Sequence, residues 1–371
     1  MDYFPLTTAK GAAFCNRVQE LKLLHRNITE VRPTLIMSTR RYGKTSLALK
    51  ALENTKSIYA TIDFYRDLNE EHIERSIMNG IGALLGKMES APQKLMQLAS
   101  QLFSGMQASL TMSEMEIAVQ FQEKKKRASD NIINALKRLH DLAQKRKQNV
   151  VLFFDEFQQL SEATNDHSIE AALREAAQSS TQVSYLFSGS NRHLLQNIFF
   201  DQNRPFYKLC DFIQLERIHS EAYIPYLQHA ACDYWKKELS QEVLETIVEL
   251  TERHPYYINL LCSKIWLDDF PTEKKIVRNY WEKCALENKS QIQNELSLLS
   301  LNQRKLIIAL AMHGPVTAPN GTDFMKKVNL PQTSLLQALS VLIEKDYVYQ
   351  DSEKQYRLLD PLIRYLLSEA V

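Results

Sequence analysis

At 371 residues the chain is longer than one typical domain, so two or three packed units are expected, each large enough to bury a core. A formal net charge of +1 and a pI near 7.6 exclude a global electrostatic bias toward nucleic acid, a membrane surface or an acidic substrate. Cys15, Cys210, Cys232, Cys262 and Cys284 form no CxxC pair and read as reduced thiols. With no basic start leading into an apolar run and no apolar stretch of about 18 residues, a cytoplasmic protein is expected.

Short apolar runs rich in β-branched and aromatic residues recur at 34–38 (TLIMS), 57–64 (SIYATIDF), 149–157 (NVVLFFDEF), 183–190 (VSYLFSGS) and 211–218 (DFIQLERI), with helical patterns between them. Runs that are nearly continuous instead of alternating predict strands covered on both faces. The fold class is therefore α/β, a parallel sheet sandwiched by helices over residues 1–220. The gap at about 65–148 is too long for one crossover helix and carries helix formers such as NIINALKRLHDLAQKRK, which predicts a helical insertion. Its stretch 124–147 is the one clearly basic segment, and any nucleic acid that binds is expected there.

Beyond 220 the strand signals vanish, and SEAYIPYLQHAACDYW, QEVLETIVELTER, YYINLLCSKIWL and KIVRNYWEKCALE predict a helical lid over 221–290. From 291 to 371, NQRKLIIALAMHG, TDFMKKVN and QTSLLQALSVLIEK precede the paired runs YVYQ and QYRLLD. Three helices and a two-stranded wing are the order of a winged helix. Basic and acidic residues balance in it and leucines dominate its third helix, so an isolated 291–371 fragment is expected to fold without holding duplex DNA.

Residues 38–45, STRRYGKT, follow the first strand and open the helical pattern TSLALKAL. A strand end, a tight turn whose N–H groups face phosphates, and a helix N-terminus with its dipole make a phosphate loop. In it Gly43 lets the backbone approach the β-phosphate, Lys44 reaches the β- and γ-phosphates, and Thr45 offers a hydroxyl to Mg2+. The candidate nucleotide-binding stretch is Ser38, Thr39, Arg40, Arg41, Tyr42, Gly43, Lys44, Thr45 and Ser46, with Arg40 and Arg41 expected to face solvent. Ser38 stands where GxxxxGK[ST] has its first glycine, so strain or a different turn is expected at the start of the loop. Downstream, NVVLFFDEFQQL places Asp155 and Glu156 at the end of a buried strand. Asp155 is expected to hold Mg2+, and Glu156 to polarise the water that attacks the γ-phosphate. The expected ligands are thus ATP and Mg2+, and the expected activity is ATP hydrolysis.

FCNRVQELKLL (14–24), STRRYGKTSL, VVLFFDEFQQL, SYLFSGS, RPFYK followed by IQLERI, RHPYYINLL (253–261) and YRLLDPLIRYLL occur in one order along almost the whole chain. With them the sequence resembles the archaeal-type P-loop ATPases, a branch related to AAA+ proteins and the STAND signalling class. The resemblance, with the domain order above, leads to the expectation that ATP between the α/β domain and the lid holds the two together and that hydrolysis releases that clamp. It further implies Arg17 near the base or sugar, Ser190 as a γ-phosphate sensor, and Arg192 on the γ-phosphate. Arg204 would be an arginine finger facing a neighbouring subunit, and Pro255 would pack on adenine, although Arg253 stands where such chains keep a glycine. His254 is expected to be structural, and Tyr256, Tyr257 and Trp266 to be core. A nucleotide-controlled switch acting on a protein partner or by self-association is the preferred role. A DNA-handling ATPase of the initiator or transposition-helper kind is the alternative, followed by a nucleotide-binding module with little turnover. No membrane is expected.

Overall fold

The computed structural model describes residues 3–104, 108–113, 116–121, 127–164, 166–351 and 353–368. The chain forms two compact units, one of Arg17–Arg40 and Lys44–Leu215, the other of Met1–Asn16, Arg41–Gly43 and Glu216–Val371. In chain order the first unit carries α1 (Val18–Thr29), β1 (Thr34–Met37), α2 (Lys44–Asn54), β2 (Ile58–Asp63), α3 (Glu70–Met88), α4 (Pro92–Leu102), β3 (Ala108–Ser113), β4 (Glu116–Phe121), α5 (Ala128–Arg146), β5 (Val150–Asp155), α6 (Gln159–Ala163), α7 (Ser168–Ser179), β6 (Val183–Gly189), α8 (Arg192–Phe200) and β7 (Asp211–Gln214).

Five strands pair in the order β2-β5-β6-β1-β7, and every pairing among them is parallel. The central strands β1, β5 and β6 are buried at every residue, as their unbroken apolar runs predict. The edge strands β2 and β7 expose Thr61, Asp63, Phe212 and Gln214. Register decides what meets at the carboxyl ends. Ile36 lies opposite Ser188, Met37 opposite Gly189, Phe154 opposite Phe187, and Asp63 opposite Asp155. The phosphate loop, the Asp155–Glu156 pair and Ser190 therefore leave the sheet side by side, at the edge where open α/β sheets bind ligands. Phe157, Phe187, Phe199 and Phe206 pack beneath, with ring centroids 4.7 Å apart for Phe157 and Phe187 and 5.0 Å for Phe199 and Phe206. Burying each ring removes on the order of 150–250 Å² from water, so the strand ends rest on a firm base.

The segment between β2 and β5 is not wholly helical, which corrects the expected helical insertion. β3 and β4 form an antiparallel hairpin with Leu110 opposite Val119. On β4, Ile117 and Val119 are buried while Ala118 is exposed, the period-two signature of one covered face. On α3, a side chain at Gly82 would run into the Ile117 carbonyl oxygen. Of the basic stretch, Lys124, Lys125 and Lys126 lie outside the described residues. In α5, Lys137 pairs with Glu175 at 2.6 Å, Arg138 donates to the Leu102 and Ser104 carbonyls at 2.8 Å each, and Arg146 pairs with Glu89 at 3.1 Å.

The second unit carries α9 (Ser220–Trp235), α10 (Gln241–Leu250), α11 (Pro255–Ile265), α12 (Lys274–Ser297), α13 (Leu301–His313), α14 (Thr322–Val328), α15 (Gln332–Glu344), β8 (Val348–Gln350), β9 (Tyr356–Leu358) and α16 (Pro361–Ser368). The helices α13 to α15 followed by the antiparallel β8/β9 wing give the winged-helix order. α12 passes residue 290 without a break, and one apolar core includes Leu227 of α9, Trp281 of α12, Leu339 of α15 and Leu362 of α16. Arg217, 7% exposed, ties this unit together. It donates to Tyr42 Oη at 3.4 Å and to the carbonyls of Glu252, Leu358 and Leu359 at 3.1, 3.2 and 3.1 Å.

Candidate functional site

Where the phosphate loop leaves β1, Ser38 and Thr39 are buried. The left-handed residues of the loop are Arg41 (φ 63°) and Gly43 (φ 88°), a backbone that glycine adopts at little cost. Ser38 is not among the residues with positive φ. Its hydroxyl donates to the Thr39 carbonyl at 2.8 Å. Lys44, at the start of α2, is buried, and its Nζ donates to the Thr39 carbonyl at 3.1 Å and to Ser38 Oγ at 3.4 Å. Thr39 Oγ1 is buried with no hydrogen-bond partner among the described residues, an orphan polar atom that fits a site built to take a polar ligand. Ser46 is buried on α2, and Arg40 and Arg41 are exposed as expected. The Arg41 guanidinium lies 4.1 Å over the Tyr256 ring, and Tyr42 packs edge-on against His254 at 4.7 Å.

The two motifs meet directly. Thr45 Oγ1 donates to Asp155 Oδ2 at 2.7 Å across 110 residues of sequence. Asp155 Oδ1 accepts from the Glu156 N–H at 3.0 Å and from Ser188 Oγ. Glu156 follows with φ 50°, a left-handed turn that costs a non-glycine residue roughly 1–2 kcal/mol. The turn persists because both neighbours are anchored. Asp155 closes a central strand, and Phe157 is buried in the aromatic cluster with its N–H donating to the Ser188 carbonyl at 2.8 Å. Glu156 Oε2 accepts from Ser190 Oγ at 2.8 Å and from Gln158 Nε2. Asp63 is a third carboxyl nearby. Although it reaches solvent, its crowded surroundings raise its pKa; the Tyr65 N–H opposes that shift, and the charges of Asp155 and Glu156 add to it. Sequence reasoning missed Asp63, Ser188 and Gln158. Asp63 does end an apolar run, but its place beside Asp155 follows from the strand order alone.

The remaining candidates are spread more widely. Ser190 is buried beside Glu156, and the half-buried Arg192 opens α8 behind its N-cap Asn191. Arg17 precedes α1, is 7% exposed and pairs with Glu20 at 3.1 Å. Arg204 departs from the expected free surface position. Its Nε donates to Glu170 Oε2 at 3.1 Å and its Nη2 bonds the other oxygen of the same carboxylate, because Glu170 is wholly buried and a buried charge needs a partner. Pro255 is the first residue of α11, as expected, and lies in the other unit. His254 supplies the cap, its Nδ1 accepting from the Tyr256 N–H at 3.2 Å. Burial holds its imidazole well below the ordinary histidine value and the Arg217 and Arg41 guanidiniums push the same way, which keeps that nitrogen an acceptor. Tyr257 and Trp266 are core, while Tyr256 is half-buried beneath Arg41.

A hydroxyl and a carboxylate 2.7 Å apart are hard oxygen donors of the kind Mg2+ takes together with phosphate oxygens and water. Among the described residues no group of three or more His, Cys, Asp or Glu could hold a metal by itself.

A family model described as an ATPase domain predominantly from Archaea matches residues 14–261. The chain belongs to this family. A second model, described as a probable winged helix domain, matches residues 290–369 of the archaeal-type ATPase. No curated protein matches its sequence. Among solved structures it is similar to the Walker-type ATPase PABY2304 of Pyrococcus abyssi, with a TM-score of 0.67 and 17% identity over 98% of this chain and 99% of that one. It is also similar to the Orc2 protein of Aeropyrum pernix, solved in ADPNP and ADP complexes, with a TM-score of 0.56 and 15% identity over 95% of this chain and 93% of that one. Identities this low establish a shared fold. Among the described residues, no helix of this ATPase is long and apolar enough to cross a membrane.

Proposed function

We propose that the chain binds ATP with Mg2+ through residues 38–46 and hydrolyses it, acting as an AAA+/STAND-like switch that couples nucleotide state to a protein partner. The observation that carries this reading is the 2.7 Å bond from Thr45 to Asp155, with Glu156 one residue further and hydrogen-bonded to Ser190. Lys44 would lie along the β- and γ-phosphates, and Thr45 and Asp155 would hold the metal. When bound, Mg2+ neutralises charge that grows on the phosphate oxygens during transfer. Glu156 would take a proton from the attacking water, with Ser190 and Arg192 facing the γ-phosphate and Arg17 and Pro255 assigned to the base and sugar.

The reading divides the chain into an ATPase domain (1–220), a lid (221–290) and a winged helix (291–371), and places it in the cytoplasm, in keeping with its free thiols. Arg41 and Tyr42 belong to the compact unit that holds the wing, through Tyr256 and through Arg217, which also bonds the Leu358 and Leu359 carbonyls. Leu301, Ile308 and Met312 share an exposed face of α13, a surface better suited to protein than to phosphates.

Phosphate release and binding of a fluorescent ATP analogue test the assignment together. Glu156→Gln is expected to keep ATP affinity while turnover falls roughly a hundredfold or more. Lys44→Ala is expected to lose binding. Parental turnover in Glu156→Gln would sink the catalytic role, and tight binding by Lys44→Ala would remove the loop as the site.

A further inference from the structure

We infer that Gln158 is a positioning residue that fixes the rotamer of Glu156, so that one carboxylate oxygen is taken by protein donors and the other is presented to the attacking water. This rests on the ATPase reading above.

Both protein donors converge on one atom. Ser190 Oγ donates to Glu156 Oε2 at 2.8 Å, and Gln158 Nε2 donates to the same oxygen. Among the described residues, Glu156 Oε1 receives no hydrogen bond. A glutamate has three side-chain torsions, and the left-handed backbone at Glu156 sets only where the side chain starts. Two donors on one oxygen set where it ends.

Gln158 is itself held. It is 3% exposed, and its amide lies against Gly189, where an added Cβ would overlap Gln158 Oε1 and come within 3.0 Å of Leu195 Cδ1. Gln158 Oε1 is buried with no hydrogen-bond partner among the described residues. Leaving a buried acceptor unmet is costly, which a side chain serving only to fill space would avoid by being apolar. The amide is retained, on this argument, for its donor end.

In the hydrolysis proposed above, the water oxygen bonds to the γ-phosphorus. The bond to the β,γ-bridging oxygen breaks with its electron pair left on ADP, and one water proton passes to Glu156 Oε1. A base turned away from that water loses rate without losing ATP, because the bonds that hold the phosphates come from the loop.

Two near-isosteric variants test this. Gln158→Met keeps the volume against Gly189 and removes the donor. Gln158→Glu keeps the shape and replaces the donor with an acceptor unless the new carboxyl carries a proton. Both are expected to bind a fluorescent ATP analogue and to show KM for ATP like the parent, with kcat lower by roughly tenfold or more, the scale of loss when a reacting group is misplaced. If the buried carboxyl unfolds Gln158→Glu, the kcat and KM of Gln158→Met decide. Parental kcat in the variants, or a loss of kcat matched by an equal loss of ATP binding, would overturn the positioning role while the ATPase reading stands. A parent that binds ATP without turning it over would sink both.

Discussion

Glu170 has no exposed surface, so its charge must be met inside the protein. Arg204 meets it with two N–H groups and reaches Ser161 Oγ at 3.3 Å, while His167 Nδ1 lies 3.5 Å from Oε1. The partners are 34 residues apart, and nothing local in RPFYK or in the α7 sequence announces the pair. A lone arginine before a strand resembles an arginine finger for that reason. Arg204→Ala is expected to destabilise the folded chain by about 3–5 kcal/mol, the usual consequence of stranding a buried carboxylate. Replacing both partners, Glu170→Leu with Arg204→Met, should recover much of that loss, since the uncompensated charge is gone. Urea denaturation of the two proteins checks the pair. An Arg204→Ala protein as stable as the parent, yet slow in hydrolysis only when it self-associates, would return Arg204 to the finger role.

Elements announced themselves where burial acts along a continuous run. β1, β5 and β6 are legible because an unbroken apolar segment can only be covered on both faces, and α9 begins and ends where its pattern does. The β3/β4 hairpin was not legible, because its short strands lie among polar residues and are fixed by pairing with each other and by the buried Ile117 and Val119 of β4. At the site, the stretches carrying Lys44, Thr45, Asp155 and Glu156 were legible as motifs, and the structure brings Thr45 and Asp155 to 2.7 Å. Gln158 was hidden because a left-handed turn at Glu156 folds it back onto its neighbour.

The turn before α11 shows the same limit. Arg253, which the family resemblance sets at a glycine position, has φ 62°, a left-handed backbone carried here by a residue other than glycine. His254 then caps the helix as a neutral imidazole. Below its ordinary value near 6.5, the unfolded chain takes up a proton at this histidine while the folded chain does not. Stability therefore falls with pH, by up to about 1.4 kcal/mol per unit, from that value down toward the depressed folded one. Asparagine also caps but does not titrate. The stability gap between the parent and His254→Asn should narrow on acidification from about pH 7.5 to about pH 5.5. Parallel pH dependences would show that His254 is not the group responsible.

For the whole molecule, the question is whether a winged helix in a chain of net charge +1 can hold DNA. Its third helix, α15, buries Leu335, Leu339 and Leu342 and exposes Leu336 and Ile343. In the wing, Arg357 is paired with Asp351, and Arg364 of α16 is paired with Glu252 at 3.1 Å. In the basic helix α5, Lys137, Arg138 and Arg146 are bonded to acidic groups or to carbonyls, while Lys145 is exposed. Duplex DNA is held by cations that displace its counterions, and each such contact steepens the loss of affinity with salt. Because α12 and the shared core run through residue 290, an isolated 291–371 fragment would lose packing partners, and the whole chain is the proper sample. Fluorescence anisotropy with duplex DNA at about 50 mM and about 200 mM salt is expected to show no micromolar complex at either. A complex that weakens by roughly a thousandfold or more between those conditions would mean at least six phosphate contacts. That outcome would place the DNA-handling role ahead of the protein-directed switch, and loss of the complex on neutralising Lys124–Arg127 would assign it to the basic segment instead of the wing.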